Sequence, residues 1–444
     1  MLKAIFGGGG ETSIRAGAGI FYTDFDTSGQ NFETGDAPFG LFVNGAAHPY
    51  LEQPYTDYAT AANKLQPFPF VFPSGGNTNF APFLPITFSP AFDTRNKLPY
   101  SINYHLTWQR ELGKSTILSA GYVGTMGRHL FQQIANNLGN PQLCLQIKAA
   151  GGGCGPGGED SIYTVNGQTY YGTRQYSVTS GKYLNQGLLD FGDNSYESTI
   201  GTSSYNSLQL TLNKSIGALR FLAAYTYGRA LDFGSQFFDL TNPYNMRLSK
   251  GLSQFDITHN FVISYFYHLP FARLVSSKGG ITGRALEGWQ IAGVTRFTTG
   301  VPITFTDSSN GSDTSLCGCD LFGILGTNAV DLPNYDESPV HIFNPRTHNL
   351  QYFDTAPFSF PAIGTKGNVR RRFLHGPGLN NTDIVLIKST KVTERVGFDF
   401  RMELFNIFNH SQFNTPVGDI NGPFGQVTSA RDPRIGQAAI KINF

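Results

Sequence analysis

The stretch Tyr100–Trp108 reads YSINYHLTW, and its side chains alternate between two kinds. The even positions hold large apolar or aromatic residues, namely Tyr100, Ile102, Tyr104, Leu106 and Trp108. The odd positions between them are polar. Successive side chains of a β-strand point to opposite faces of a sheet, so this pattern predicts a strand with one apolar and one polar face. Nine residues is close to the ~9–11 that a tilted strand needs to cross a bilayer.

The same unit recurs along the chain. The short link Glu111–Lys114 follows the first strand, and alternation resumes from Thr116 to Tyr122, which predicts a hairpin. Further alternating segments are Ser13–Tyr22, Leu208–Asn213, Arg220–Gly228, Asn260–His268, Trp289–Phe297, Val396–Glu403 and Gln437–Phe444. We predict about ten to twelve antiparallel strands.

The connections between these strands differ greatly in length. Some are only a few residues long, whereas others run over roughly Gly127–Ser203, Leu231–Gln254 and Asp307–Asn380. A soluble antiparallel sandwich also alternates, but compact soluble domains rarely carry structureless loops that long. Outer-membrane barrels do, with short turns on the periplasmic side and long loops outside. We therefore favour an all-β, antiparallel, transmembrane outer-membrane barrel over a soluble β protein.

Composition agrees with a membrane barrel. The chain has 52 Gly, 38 Phe and 21 Tyr, and its charged residues amount to only 14%, against ~25% in soluble proteins. Abundant aromatic residues fit interfacial girdles. The net charge of +1 gives no reason to expect a nucleic-acid partner.

The parity within each strand gives two geometric expectations. One set of residues should face outward together: Tyr104, Leu106, Leu208, Leu210, Phe221, Ile263, Ile291, Phe398 and Ile440. The turns Glu111–Lys114 and Ser215–Ala218 should share one rim, with the cysteines at the other.

The end of the chain carries a resemblance. The segment Glu403–Phe413 reads ELFNIFNHSQF, and it is followed by Phe424–Val427 and the final Phe444. Together these resemble the C-terminal end of TonB-dependent receptors, most closely the Oar-like group with large Gly-rich and Asn-rich loops. Earlier stretches are similar as well, namely Arg15–Tyr22, Asp256–Phe261 and His375–Gly378.

The resemblance implies a barrel of about 22 strands filled by an N-terminal plug. It implies TonB-dependent uptake of a bulky solute, such as an oligosaccharide or a siderophore, across the outer membrane of a Gram-negative bacterium. It also implies contact with outer-membrane lipid and lipopolysaccharide. The outer-membrane assembly machinery would read the C-terminal strand through Ile440, Ile442 and Phe444.

The sequence departs from that pattern at its start, because nothing before Ser13 corresponds to a plug or a TonB-binding segment. We interpret residues 1–444 as the C-terminal portion of such a barrel with the plug domain absent, a truncated member or gene fragment. TonB would then be reached only through a missing N-terminal region. We expect an open, curved sheet in which Gln437–Phe444 is an edge or pairs improperly with Ser13–Tyr22. The alternative is a surface structural or adhesion protein that transports nothing.

Four cysteines lie in two of the expected outer loops. Cys144 and Cys154 flank a Gly-rich stretch and are candidates for a disulfide, which an oxidising exterior permits. Cys317 and Cys319 are a second candidate pair, although their bridge would close a tight ring. Asp320 is adjacent, but a metal site needs more ligands at suitable spacing, so we expect none.

Arg370, Arg371 and Arg372 form the main basic cluster. They are candidate contacts for an anionic ligand or a lipopolysaccharide phosphate, and the simpler interpretation is a solvated loop or a lumen wall. The sequence contains neither an H-E-x-x-H nor a G-x-S-x-G motif. We therefore expect no enzyme activity and no cofactor.

Overall fold

A computed structural model gives the structure of the chain. It describes residues 11–24, 52, 86–113, 115–135, 137, 140–151, 162–171, 191–236, 239, 246–271, 280–308, 332–362, 367–393 and 396–444. The strands within these ranges are β1 (Thr12–Tyr22), β2 (Ile86–Phe92), β3 (Tyr100–Glu111), β4 (Thr116–Ala135), β5 (Ile162–Val165), β6 (Gln168–Tyr171), β7 (Phe191–Ile216), β8 (Leu219–Asp232), β9 (Gly251–Leu252), β10 (His259–His268), β11 (Trp289–Thr298), β12 (Asn334–Tyr335), β13 (Phe358–Ser359), β14 (Leu379–Lys391), β15 (Gly397–Phe405) and β16 (Ile435–Asn443).

The described residues of the connections include three helices. They are α1 (Pro141–Ala149), α2 (Met246–Ser249) and α3 (Gly280–Leu286). In the described ranges, every helix is too short or too polar to cross a membrane.

One sheet of twelve strands dominates the molecule. Its order is β1-β3-β4-β7-β8-β10-β11-β14-β15-β16, with β2 on β7 and β9 on β8. Every neighbour on the main path is antiparallel, and only the added strand β2 runs parallel to its partner. The predicted all-β, antiparallel architecture and the expected ten to twelve strands in the sheet are confirmed.

The sheet has two different rims. Gly113 (φ +73°) and Gly217 (φ +56°) allow tight turns at one rim, where Ser215 N–H donates to Ser115 O at 2.9 Å. The opposite rim carries the long connections 136–190, 233–258, 299–378 and 406–434. The two predicted short turns therefore do share a rim.

Several strands are longer than the sequence pattern predicted. β4 has 20 residues and β7 has 26, about twice what a bilayer crossing needs. The pairing of these two strands continues past shifts in register on both sides of Leu130. The connection expected over Gly127–Ser203 is thus partly a continuation of the strand pair β4–β7.

The two faces of the sheet differ in polarity. Leu106 lies opposite Tyr122, Tyr122 opposite Leu208, and Leu208 opposite Tyr227. Residues paired directly across an antiparallel sheet share a face, and the register continues in this way to β16. All nine residues expected on the outward face lie on this one face. The opposite face carries polar side chains, including His105, Gln209, Thr226, Asn260, Arg296, Asp383, Arg401 and Lys441.

The sheet does not close into a barrel. Among the described residues, β1 is paired only with β3, and β16 only with β15. Every residue of β16 is exposed. The expectation of an open sheet with the final strand at an edge is confirmed.

A hydrophobic core lies outside the sheet, within the long connections. Its buried members are Ile303, Phe305, Leu332, Phe353, Phe358 and Val369. Phe305 stacks on Phe358 with ring centroids 5.0 Å apart and meets Phe353 edge-on at 5.8 Å. We call residues 299–308, 332–362, 367–378 and 406–434 the loop layer. The stretch Asp307–Asn380, expected to be structureless, is in its described part largely ordered by this core.

Candidate functional site

Of the four cysteines, only Cys144 lies within the described residues. Cys144 belongs to α1, which follows β4 at the rim opposite the Gly113 turn. Cys154, Cys317 and Cys319 lie outside the described residues, so both disulfides stay predictions.

The arginine cluster divides into one exposed and two buried residues. Arg370 is exposed, whereas Arg371 and Arg372 are only 3% and 4% exposed. Arg371 is bonded through separate guanidinium nitrogens to Asp232 and Asp239. Neither buried side chain lies in a solvated loop.

The second buried arginine strengthens the same network. Arg372 contacts Asp239 at 3.0 Å and donates to Thr304 Oγ1 at 2.7 Å and to Ser235 Oγ at 3.2 Å. Two cations thus face two carboxylates, so the network is balanced in charge. Buried charges are tolerated only when paired and hydrogen-bonded in this way. The network fastens the loop layer to the outer end of β8.

A second polar contact lies beside this network. Asp256 is almost fully buried, and its carboxylate lies 2.8 Å from Nε2 of His375. It also accepts hydrogen bonds from Ala230 N–H at 2.5 Å and from Thr258 Oγ1 at 3.0 Å. Asp256 precedes β10 and His375 belongs to the loop layer, so this contact is another attachment between wall and loops.

Burial raises the pKa of Asp256, but the hydrogen bonds from His375, Ala230 and Thr258 outweigh burial. The net result is a pKa below the ordinary value of 3.8. A carboxyl group with a depressed pKa stabilises the folded state above its unfolded pKa. That stabilisation is lost as the pH falls through the folded-state pKa.

We expect acid to loosen the loop layer in a way that depends on Asp256. Protease cleavage of the 299–378 connection in isolated outer membranes should be steady from pH 7 down to the ordinary Asp pKa of 3.8, and should accelerate as the pH falls further. Asp256→Ala should already be cleaved faster at pH 7, because it leaves buried donors unpaired at about 1–3 kcal/mol, and its further response to acid should shrink. An unchanged pH response in Asp256→Ala would contradict this attachment.

A cavity of about 480 Å³ lies on the polar face near the outer rim. It is formed by β4, β7, β8, β10 and the turn before β10, with Thr125, Ser203, Ser204, Tyr205, Gln209, Thr226, Ala230, Leu231, Asp232, Ser253, Phe255, Asp256, Ile257 and Asn260 around it. This volume is within the ~300–1,000 Å³ of small-molecule sites. Sequence reasoning missed the cavity, because its residues come from separate strands and share no motif.

The predicted assembly residues lie on the open edge. Ile440 and Ile442 pair across from Phe400 and Phe398 on the apolar face, and Phe444 is fully exposed.

In the part of the chain that the structure describes, no three His, Cys, Asp or Glu side chains are grouped so as to hold a metal ion.

Solved structures similar to the chain include the outer membrane transporter YddB from Escherichia coli (8% identity, TM-score 0.40, 81% of this chain and 34% of that one). They also include the ferric-catecholate import receptor Fiu from E. coli K12 (10%, 0.36, 98% and 33%) and the pyoverdine outer membrane receptor FpvA from Pseudomonas aeruginosa PAO1 (11%, 0.35, 80% and 31%). The chain spans about a third of the length of these proteins. A search of curated protein sequences finds no match.

The family comparison covers nearly the whole sequence. The model of the outer membrane beta barrel domain matches residues 5–437. In such barrels the apolar face of the sheet contacts lipid and the polar face lines the interior, which is the division of faces seen here. The chain belongs to the outer membrane beta barrel domain family, and its place is the outer membrane of a Gram-negative bacterium.

Proposed function

We propose that the chain forms the wall and outer vestibule of a non-enzymatic receptor for TonB-dependent uptake of a bulky solute, such as an oligosaccharide or a siderophore. The observation that carries the proposal is the cavity on the polar face, where the lining residues Asp232 and Asp256 are bonded to Arg371 and His375 of the loop layer. A receptor needs a surface that faces the lumen and keeps its shape before the solute arrives.

The contacts between the loop layer and the strands support the proposed receptor function. The Arg371 network and the contact between Asp256 and His375 both border the cavity, since Asp232 and Asp256 contribute to its lining. Preorganised loops lower the entropic cost of binding. The cavity is therefore a better binding surface than freely moving loops would be.

The proposal includes further partners. The apolar face would contact lipid and lipopolysaccharide, and the assembly machinery would bind the strand that ends at Phe444. TonB would be engaged through a region other than the strands described here. The resemblance of Glu403–Phe413 to TonB-dependent receptors supports this part.

Uptake with and without TonB tests the function. In cells that produce the protein, a labelled solute that it binds should accumulate only when TonB is present. Cells without TonB should still bind the solute at the surface, because binding precedes energised transport. Equal accumulation in both strains would contradict the proposal.

One observation favours the alternative of a surface structural or adhesion protein. The loop layer has its own aromatic core, centred on Phe305, Phe353 and Phe358, and it could present a rigid outer surface to a partner. Adhesion would not need TonB. Cell attachment that depends on the protein and is equal with and without TonB, together with no solute uptake, would favour this alternative.

A further inference from the structure

We propose that the cavity formed by β4, β7, β8 and β10 binds an uncharged, polyhydroxylated ligand, that is, a stretch of neutral oligosaccharide. The inference rests on the proposed receptor function and narrows its solute class. It is argued from the hydrogen-bonding groups, the charges and the aromatic rings around the cavity.

The lining is rich in neutral hydrogen-bonding groups. Hydroxyl groups come from Thr125, Ser203, Tyr205, Thr226 and Ser253, and amide groups from Gln209 and Asn260. A hydroxyl both donates and accepts, and an amide side chain does both through separate atoms. Sugar hydroxyls have the same dual character, so such a lining can satisfy them in many orientations.

The two carboxylates of the cavity lining are already bonded to other groups. Asp232 is bonded to Arg371 and to Ser235, and Asp256 to His375, Thr258 and the backbone of Ala230. Among the described residues that line the cavity, none is Lys, Arg or His. An anionic chelate would therefore find no cation among these residues to attract it.

Two aromatic rings border the cavity. Tyr205 lies on the polar face of β7, and Phe255 lies in the turn before β10 with 68% of its surface exposed. A large exposed apolar ring beside a polar cavity is a feature of a binding surface. The C–H face of a sugar ring can pack on such a side chain while its hydroxyl rim reaches the polar groups.

One buried hydrogen-bond acceptor among the lining residues has no donor in the described part of the chain. Oδ1 of Asn260 is buried and has no hydrogen-bond partner among the described residues. A buried acceptor without a donor is unfavourable. A ligand hydroxyl in the cavity would supply that donor.

The test measures binding in isolated outer membranes that contain the protein, so it does not depend on transport. The probes are fluorescent neutral hexasaccharides of glucose, xylose and N-acetylglucosamine, with a ferric catecholate chelate as the anionic comparison. At least one hexasaccharide should bind saturably. Phe255→Ala should weaken that binding by about tenfold, and Asn260→Ala should weaken it too.

Phe408→Ala is the matched control, because Phe408 is 75% exposed in the β15–β16 connection and does not line the cavity. Its affinity should stay within about twofold of the unaltered protein. The chelate should not compete with the hexasaccharide.

Two results would overturn the inference. One is binding of the chelate that is weakened by Phe255→Ala while all three hexasaccharides fail to bind. The other is hexasaccharide binding that is unaffected by both cavity variants. Saturable, cavity-dependent binding without TonB-dependent accumulation would support the site but contradict the receptor function. Accumulation of the chelate alone would support the receptor function but contradict the site.

Discussion

Replacing Arg371 with Ala should detach the loop layer from the wall. The change leaves the carboxylate of Asp232 buried without its cation, and Asp239 keeps only Arg372. Removing one partner of a buried ion pair costs about 3–5 kcal/mol, which raises the open population of the layer by about two to four orders of magnitude. Protease accessibility of the 299–378 connection in isolated outer membranes measures the change.

The neighbouring Arg370 supplies the matched control. It carries the same charge but is exposed, so Arg370→Ala should change the stability by no more than about 0.5 kcal/mol. Equal protease sensitivity in the two variants would show that the ion pairs do not hold the layer.

A double variant tests whether the unpaired carboxylate of Asp232 causes the loss of stability. Combining Arg371→Met with Asp232→Asn removes the lone buried carboxylate together with its cation. The double variant should be less destabilised than the sum of its two single variants, because the residues are in direct contact. Additive effects would indicate that the two side chains act independently.

The strand pattern was the most predictable part of the fold. Lipid on one side and a polar interior on the other constrain every second residue, so Tyr104, Leu106 and Leu208 could be assigned to one face before the register was known. The constraint ends where the strand leaves the membrane. β4 continues to Ala135 through irregular pairing at Arg128 and Leu130, and the sequence there no longer alternates.

The loop layer could not be predicted from the pattern. Phe305 and Phe424 lie more than a hundred residues apart and are nevertheless in contact, with ring centroids 6.2 Å apart. The layer has no regular period, so nothing in the local sequence indicates which of its aromatic residues meet. The sequence predicted the length of these connections but not the ordered structure that they adopt.

The candidate site shows the same division. The arginine cluster was visible in the sequence, but its acidic partners are 132 and 139 residues away. Without them, a solvated loop was the simpler interpretation. Asp256–Phe261 and His375–Gly378 were noted separately for their resemblance to receptors, and the structure brings Asp256 and His375 into contact.

We expect residues 1–444, when expressed and refolded alone, to form no stable pore. The sheet is bounded by β1 and β16, and in the described residues neither strand has a partner on its outer side. At membrane depth each unpaired backbone group costs several kcal/mol, because lipid offers no hydrogen bonds. An exposed edge with apolar side chains such as Ile440 and Ile442 invites pairing with other chains.

Direct pairing of β1 with β16 would close the sheet only at a cost in free energy. The curvature, tilt and register of a barrel wall are linked to its strand number, so a wall built for a larger barrel must change all of them to close as a smaller one. Aggregation is therefore the expected result in detergent, measured by size-exclusion chromatography and by loss of the heat-dependent gel shift that folded barrels show. A complete barrel of similar mass, refolded in parallel, controls for the detergent. Resistance to unfolding in detergent together with a defined single-channel conductance from residues 1–444 would contradict this expectation, and would mean that the two edges find each other in the membrane.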